Sequence, residues 1–290
     1  MRSGSRMTQA MLGALPCSFM TEEPLRFHER KKSEFLIQFT KDLLQCRFSH
    51  HPDYYNHWLY GPHMNELSVK RLCWGMFPFC HNNTAFVDAM CSSACVRLLR
   101  IVSVELEVAD TLLSDPNLNV KVVHLVRDPR ALLVSRIKLQ KLYTRRKIFH
   151  DADLNVTEIC DRYKRDLSTA HHFTHLYDNR YTLVRYEDLS LQPKEVVQRL
   201  YTFLDLPFTA HIANTAAKHT LGYLQPDKHN HPFSVYKNSS TAVFAWRKNL
   251  HFSKIKEMQE ECGSVLQAYG YRLFTSEQDY QNLQYSSLVL

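Results

Sequence analysis

A short, almost entirely apolar run that leads straight into a helix start constrains the fold of this chain more than any other feature. Residues 121–126 read KVVHLV, a pattern typical of a strand buried in a parallel sheet. Asp128 then stands where an N-cap is expected and Pro129 at the first helical position, so a helix should extend from there to about Tyr143. A strand that feeds directly into a helix indicates an α/β architecture.

Apolar runs and helical periods alternate along the rest of the chain. Residues 180–185 repeat the buried-strand pattern. Apolar spacing predicts helices over 7–15, 33–46, 93–113, 131–143, 155–178, 196–204 and 253–269. No Gly-, Pro- or Ser-rich linker interrupts the 290 residues, so we expect a single three-layer α/β domain over 1–290 with a mostly parallel central sheet.

The charge balance is mildly basic and excludes some classes of partner. The chain carries 36 Lys and Arg against 29 Asp and Glu, a net charge of +7, which suggests acidic ligands or simply a basic solvated surface. An arginine-rich arm is absent, so no nucleic-acid partner is expected. The sequence has no apolar run long enough to cross a membrane and no signal peptide, and as written it is predicted to be soluble.

The cysteines and glycosylation sequons favour an oxidising compartment. The chain has 8 cysteines, and Asn82, Asn155 and Asn238 each begin an Asn-X-Ser/Thr sequon. Zinc is not expected at Cys73, Cys80, His81, Cys91 and Cys95, because their spacing does not match the usual paired ligands. Structural disulfides or buried thiols are the expected use of these cysteines.

Two segments have the composition of anion-binding sites at helix starts. Arg2-Ser3-Gly4-Ser5-Arg6 is a small-residue loop that feeds a helix, so its backbone amides and hydroxyls can surround a phosphate; the alternative is a frayed terminus. Arg127 leaves the strand tip at 126, and Ser135 lies about two turns into the next helix. Both can bind one phosphate, or Arg127 can merely pair with Asp128.

A third strand end carries carboxylates. Glu187 and Asp188 follow the strand at 180–185, where general acid or base chemistry is possible. Capping a helix or orienting the core is the more common use of such residues.

Five motifs in this order together resemble one family. They are Arg2–Ser5, TEEPL at 21–25, LVRDPRA at 125–131 with Ser135 and Arg136, VRYEDL at 184–189, and FAWR at 244–247. The chain resembles the Golgi carbohydrate sulfotransferases that sulfate the 6-hydroxyl of Gal, GalNAc or GlcNAc, including enzymes of keratan and chondroitin sulfation. The resemblance spans nearly the whole chain and implies a P-loop-like sulfotransferase fold.

The resemblance implies an enzyme that uses 3′-phosphoadenosine 5′-phosphosulfate (PAPS) as co-substrate and no metal. It assigns the 5′-phosphosulfate loop to Arg2, Ser3, Gly4, Ser5 and Arg6. It assigns the 3′-phosphate to Arg127 and Ser135 and a further phosphate contact to Arg247, for which the alternative is a charged residue beside a buried Trp246.

Glu23 is the candidate general base, with Glu22 a nearby competitor. The partner is expected to be a glycan, recognised by the insertion at 48–95, where aromatic residues can stack on sugars. These are Tyr54, Tyr55, Trp58 and Trp74, each of which can equally be core.

Two departures from the family pattern matter. Arg6 replaces the second hydroxyl residue of the loop, and only Met1 precedes Arg2 where the family has an apolar strand, a stem and a signal anchor. We therefore expect an N-terminally truncated form that lacks the first strand, whose full-length protein is held in the Golgi membrane by a type II anchor.

Three other functions stay open or are disfavoured. A tyrosyl-protein sulfotransferase and a catalytically impaired donor- or glycan-binding relative remain alternatives. A P-loop nucleotide kinase is disfavoured, because the chain has no Gly-x4-Gly-Lys-Ser/Thr motif.

Overall fold

The structure divides the chain into two units, which are described separately. It is a computed structural model and describes residues 3–28, 31–55, 83–102, 104–143, 148–221 and 238–289. The first unit contains Ser5–Val104 and Val108–Val120. The second contains Glu105–Glu107 and Lys121–Leu290, together with the loop residues Ser3 and Gly4.

The first unit is built around one pair of parallel strands. Its elements are α1 (Ser5–Leu12), β1 (Ser18–Glu22), a 3₁₀ turn (Pro24–His28), α2 (Ser33–Leu44), a 3₁₀ turn (Phe48–His50), α3 (Thr84–Ser92), β2 (Val96–Arg100) and α4 (Asp110–Leu113). Strand β1 pairs with β2 so that Ser18 lies opposite Val96 and Glu22 lies opposite Arg100. The carboxyl ends of both strands therefore meet at the same edge.

Disulfides and aromatic packing stabilise this small sheet. Cys17 binds Cys95, and each immediately precedes its strand, so the bridge fixes the register in which the strands pair. A second bridge joins Cys46 to Cys91 within a core of fully buried side chains. A two-stranded pair is not stable by itself, so covalent links and a packed core are needed to hold it.

The second unit contains the other parallel pair and most of the helices. Its elements are β3 (Val122–Val126), α5 (Pro129–Leu142), a 3₁₀ turn (Asp151–Leu154), α6 (Val156–Leu176), β4 (Tyr181–Arg185), α7 (Tyr186–Leu191), α8 (Pro193–Phe203), α9 (Ala210–Leu221), α10 (Ser239–Ala242), a 3₁₀ turn (Ala245–Asn249), α11 (Phe252–Ala268) and α12 (Glu277–Gln281). Val126 lies opposite Arg185 in the parallel register of β3 and β4. Helices α6 and α11 pack together and are joined by the Cys160–Cys262 disulfide.

The predicted α/β class with parallel strand pairing is confirmed, as are most of the predicted elements. The strand at 121–126 and the helix that Asp128 caps both form; the Asp128 carboxylate accepts a hydrogen bond from the backbone N–H of Arg130. The prediction of one domain over 1–290 stays a prediction. In the described parts of the chain, no helix is both long and apolar enough to span a bilayer.

The predicted helix over 93–113 is wrong. Its first part is strand β2, and only a 3₁₀ turn at Leu106–Ala109 and the short helix α4 follow. The apolar residues of 96–102 fit either period, and the contact that decides between them is distant in sequence: the backbone N–H of Cys95 donates to the carbonyl of Cys17 at 3.0 Å, which starts the pairing with β1.

Candidate functional site

The carboxyl ends of β1 and β2 bring three charged residues to one edge of their sheet. Glu22 lies opposite Arg100, and Glu23 follows directly after β1. Ligand sites of parallel sheets form at the carboxyl ends of the strands. This edge therefore carries the predicted base Glu23 and its competitor Glu22 beside a buried arginine.

The guanidinium of Arg100 binds four side chains of the first unit. Its Nε donates to Oε1 of Gln9 at 2.9 Å. Its Nη1 donates to Oε1 of Glu23 at 2.8 Å and to Oγ of Ser5 at 3.2 Å. Its Nη2 lies 3.2 Å from Oε2 of Glu22. Arg100 is only 8% exposed, so these charge-assisted bonds are largely shielded from water.

Glu23 is held in an uncommon backbone conformation with its carboxylate between two arginines. Its φ of 45° lies in the left-handed region, which costs a non-glycine residue roughly 1–3 kcal/mol. Arg26 binds the second carboxylate oxygen at 3.2 Å. Burial raises the pKa of the Glu23 carboxyl, but Arg100 and Arg26 outweigh burial and hold that pKa below its usual value. Glu23 is therefore ionised at neutral pH, as a general base must be.

The predicted phosphate loop leads into the first turn of α1. Helix α1 begins at Ser5, so its first backbone N–H groups are available to an anion. Arg6, the residue that departs from the family pattern, turns toward a carboxylate: its Nε lies 3.7 Å from Oε1 of Glu22. Ser3 and Gly4 are half-buried, and Arg2 lies outside the described residues.

The carboxyl ends of β3 and β4 place Arg127 beside Tyr186. Val126 and Arg185 are opposite each other, and the next residue of each strand is Arg127 and Tyr186. Cζ of Arg127 lies 4.5 Å from the centroid of the Tyr186 ring, a cation–π distance. Asp128 instead binds Arg130 at 2.8 Å, which differs from the simple Arg127–Asp128 pair that the sequence allowed.

The same tyrosine ring packs against the loop glycine. Gly4 has a φ of 95°, and a Cβ added there would lie 2.2 Å from Cδ2 of Tyr186. Only glycine fits this position, on both backbone and steric grounds. Tyr186 thus touches one residue from each of the two predicted phosphate-binding segments.

Ser135 lies on α5 and is half-buried. The next residue, Arg136, is turned away to the carbonyl oxygen of Asp153, to which its Nη1 donates at 2.7 Å. Tyr163 donates its hydroxyl to the carbonyl of Arg127 at 2.7 Å and so anchors the backbone of that residue.

Glu187 has a different environment from Glu23. It is 1% exposed, and its oxygens accept hydrogen bonds from the backbone N–H of Asp128 at 3.1 Å and from the hydroxyl of Tyr271 at 2.9 Å. Burial, reinforced by the charge of Asp128, raises the pKa of Glu187 to about 7. Both oxygens are used inside the core, which favours the orienting role over acid or base chemistry.

Comparison with known proteins identifies the family of this chain. The sulfotransferase domain family matches residues 1–270. This chain belongs to that family. Mus musculus carbohydrate sulfotransferase 1 is 33% identical over 180 residues, which are 59% of this chain and 43% of the relative. Mus musculus carbohydrate sulfotransferase 5 is 35% identical over 215 residues, which are 70% of this chain and 54% of the relative.

The chain spans about half the length of the curated relatives it matches. The predicted recognition as a carbohydrate sulfotransferase family member is confirmed. A solved structure of retinol dehydratase in complex with androsterone and the inactive cofactor PAP is also similar, with a TM-score of 0.40 and 15% identity over 89% of this chain and 82% of that one.

Arg247 is held by hydrogen bonds within the second unit. It is 4% exposed, and its guanidinium donates to the carbonyl oxygens of Asp279, Tyr280, Asn282 and Tyr285. This arrangement favours the alternative of a charged residue packed beside Trp246, which is itself buried. These bonds turn the guanidinium toward the C-terminal segment, and the expected donor contact of Arg247 stays a prediction.

Much of the predicted acceptor insertion lies outside the described residues. Residues 56–82, with Trp58, Trp74, Cys73 and Cys80, belong to that part. Tyr54 and Tyr55 are buried in the first unit, in keeping with the core alternative. Among the residues that the structure does describe, no group of three or more His, Cys, Asp or Glu is suited to hold a metal.

Sequence reasoning missed Arg100, Gln9 and Tyr186. Arg100 lies among the apolar residues Leu98, Leu99, Ile101 and Val102, and this position is a usable signal because a buried charge needs a partner. The prediction of a helix over 93–113 hides the role of Arg100, because a helix there gives Arg100 no fixed position relative to Glu23.

Proposed function

We propose that this protein transfers a sulfuryl group from PAPS to a hydroxyl of a carbohydrate, and specifically to the 6-hydroxyl of Gal, GalNAc or GlcNAc. The observation that carries the proposal is the shared guanidinium of Arg100, which binds both the loop hydroxyl of Ser5 and the ionised carboxylate of Glu23. Membership of the sulfotransferase domain family supports it. The names of the relatives support a carbohydrate acceptor.

The donor supplies the activated sulfuryl group, and the protein supplies binding groups and a base. The amides of the first turn of α1, with Ser3, Gly4 and Ser5, bind the 5′-phosphosulfate. Arg127 and Ser135 bind the 3′-phosphate, since a guanidinium fork matches phosphate oxygens. Tyr186 supports this set through its contacts with Gly4 and Arg127.

Glu23 accepts the proton of the sugar hydroxyl as that oxygen bonds to sulfur. The bond between sulfur and the bridging phosphate oxygen breaks, and its electron pair stays on the phosphate. Fixed cations and amides stabilise the charge that develops there. Glu23 is suited to this step because its carboxylate is ionised and at an edge of the sheet where ligands bind.

The full-length protein is proposed to act in the Golgi. The three disulfides of the described residues suit an oxidising lumen, and exposed Asn155 and Asn238 keep two sequons accessible. Keratan- or chondroitin-type glycans are the proposed acceptors.

Transfer of labelled sulfate tests the proposal. The full chain is incubated with ³⁵S-labelled PAPS and with desulfated keratan, desulfated chondroitin or a tyrosine-containing peptide. We expect label on a glycan, at the 6-position after disaccharide analysis, and none on the peptide. Label on the peptide alone would favour the tyrosyl-protein alternative, and donor binding without any transfer would favour the impaired relative.

A further inference from the structure

Arg100 ends strand β2 as a buried cation between apolar neighbours. It is 8% exposed, and its neighbours Leu98, Leu99 and Ile101 are apolar and partly buried. Burying an arginine is costly unless its donors are satisfied, so the contacts of Arg100 decide whether it is tolerated at this position.

The contacts of Arg100 converge on two groups that have a role in transfer. Its Nη1 is shared by Oε1 of Glu23 at 2.8 Å and Oγ of Ser5 at 3.2 Å. Its backbone carbonyl also accepts the N–H of Glu23 at 2.8 Å. Arg100 therefore holds the left-handed Glu23 by its main chain and by its side chain.

Gln9 fixes the orientation of this guanidinium. Oε1 of Gln9 accepts from Nε of Arg100 at 2.9 Å, while Nε2 of Gln9 donates to the carbonyl of Thr21 at 3.3 Å. Helix α1 and strand β1 thus hold Arg100 from two sides. The planar guanidinium has one orientation that satisfies all of these bonds.

Arg97, on the same strand, shows what a merely structural arginine does here. It is exposed and donates to the carbonyl oxygens of Cys91, Leu44 and Ser92. None of these oxygens is a group to which the proposed function gives a role. The two arginines differ in what they bind rather than in the strand that carries them.

We propose that Arg100 is a positioning residue of the transfer reaction, which fixes the Glu23 carboxylate and the Ser5 hydroxyl around one guanidinium. The proposal rests on the proposed function, because it assigns Arg100 to the site at which that function would occur. Arg100 acts through Glu23, which it keeps ionised and oriented, and through Ser5, whose hydroxyl it holds at the start of α1.

The charges around Glu23 set the expected pH dependence. Arg100 from β2 and Arg26 from the 3₁₀ turn lower the pKa of the carboxyl, whereas burial raises it. Glu22 adds a negative charge nearby and is paired with Arg100 and Arg6. Without Arg100, burial is opposed by the more exposed Arg26, so the pKa of the Glu23 carboxyl should rise.

The experiment compares Arg100→Met and Arg100→Lys with the matched control Arg97→Met. For each full chain, kcat/KM for the glycan is measured against pH, and the Glu23 carboxyl carbon is titrated by ¹³C NMR. Arg100→Met should move both the acidic limb and the carboxyl titration to higher pH. Arg97→Met should leave both where they are in the wild type.

Arg100→Lys separates the effect of the positive charge from that of the guanidinium geometry. It also keeps the proposal testable if Arg100→Met fails to fold. Its ammonium keeps the Glu23 carboxyl ionised but cannot reach Ser5 and Glu23 together, so the acidic limb should stay and the KM for PAPS should rise by roughly tenfold. An acidic limb and a carboxyl titration unchanged in Arg100→Met, or shifted equally in Arg97→Met, would overturn the proposal.

Failure of the proposed function gives a different result. A wild-type chain that binds PAPS but transfers no sulfate to any glycan contradicts that function. The NMR titration then still decides whether Arg100 holds Glu23 ionised, because it needs no turnover.

Discussion

Two glutamates, one in each unit, come just after the carboxyl end of a parallel strand, and their carboxyl pKa values are shifted in opposite directions. Glu23 sits between Arg100 and Arg26, which hold the pKa of its carboxyl below the usual value. Glu187 accepts hydrogen bonds from a backbone N–H and a tyrosine hydroxyl, and burial raises its pKa to about 7. The two arginines outweigh burial at Glu23, whereas at Glu187 burial and the charge of Asp128 outweigh its hydrogen-bond donors; this balance, rather than the strand end itself, decides which carboxylate is ionised.

Removing each carboxylate in turn tests directly whether Glu23 and Glu187 have different roles. Glu23→Gln should lower kcat by roughly 10²–10⁴-fold, because the hydroxyl loses its base. Glu187→Gln should cause a much smaller loss per folded molecule, because Gln keeps an acceptor for the Asp128 N–H. Sulfate-transfer kinetics on protein of matched folded fraction check this. An equal loss in both variants would contradict the distinction.

Arg247 extends the comparison from carboxylates to buried arginines. Arg247→Met should destabilise the fold by about 3–5 kcal/mol, because four buried or partly buried carbonyl oxygens lose their donor. The KM for PAPS of the folded fraction should not change, since Arg247 is bound to the C-terminal segment. Urea unfolding and donor titration test the two parts. A tenfold weaker donor affinity without loss of stability would restore the donor-binding role.

Glu187 should make stability depend on pH. Its folded pKa of about 7 lies above the ordinary value of 4.5. The stability it contributes is therefore complete below pH 4.5, falls as pH rises toward 7, and is lost above that, a total of about 3 kcal/mol. Glu187→Gln should flatten this fall in urea midpoints measured from pH 4.5 to 8. An unchanged slope would show that other groups cause it.

Substitution of Arg127 should have the smallest effect among these predictions, and the effect should be on the affinity for PAPS. Arg127→Ala should weaken PAPS affinity by roughly 10–100-fold, because it removes a charge-assisted bond to phosphate. Arg127→Lys should recover only part, since a lysine lacks the fork. Calorimetric titration with PAP, which keeps the 3′-phosphate of the donor, measures the affinity of both variants. Wild-type affinity in Arg127→Ala would remove this residue from the donor site.

The elements with local signals could be predicted from the sequence. The run 121–126 and the cap at Asp128 need only their own residues, and both appear as predicted. Strand β2 could not be recognised in this way, because its pairing with β1 depends on the distant Cys17 and Cys95. The same distance concealed Arg100, whose partners Ser5 and Glu23 are far away in sequence.

The family motifs identified Glu23 and Arg127, but not how each is held. Tyr186 belongs to a matched motif, yet its contacts with Gly4 and Arg127 arise only when β3 and β4 end side by side. For Arg247 the motif predicts donor binding but gives no sign of the bonds that join its guanidinium to the C-terminal segment.

At mildly acidic pH, Glu23 should be ionised and Glu187 protonated. A ¹³C NMR titration of the glutamate carboxyl carbons, with the two signals assigned by Glu23→Gln and Glu187→Gln, measures this directly. We expect the Glu23 signal to titrate below pH 4.5 and the Glu187 signal near pH 7. A Glu23 signal that titrates at or above that of Glu187 would contradict it.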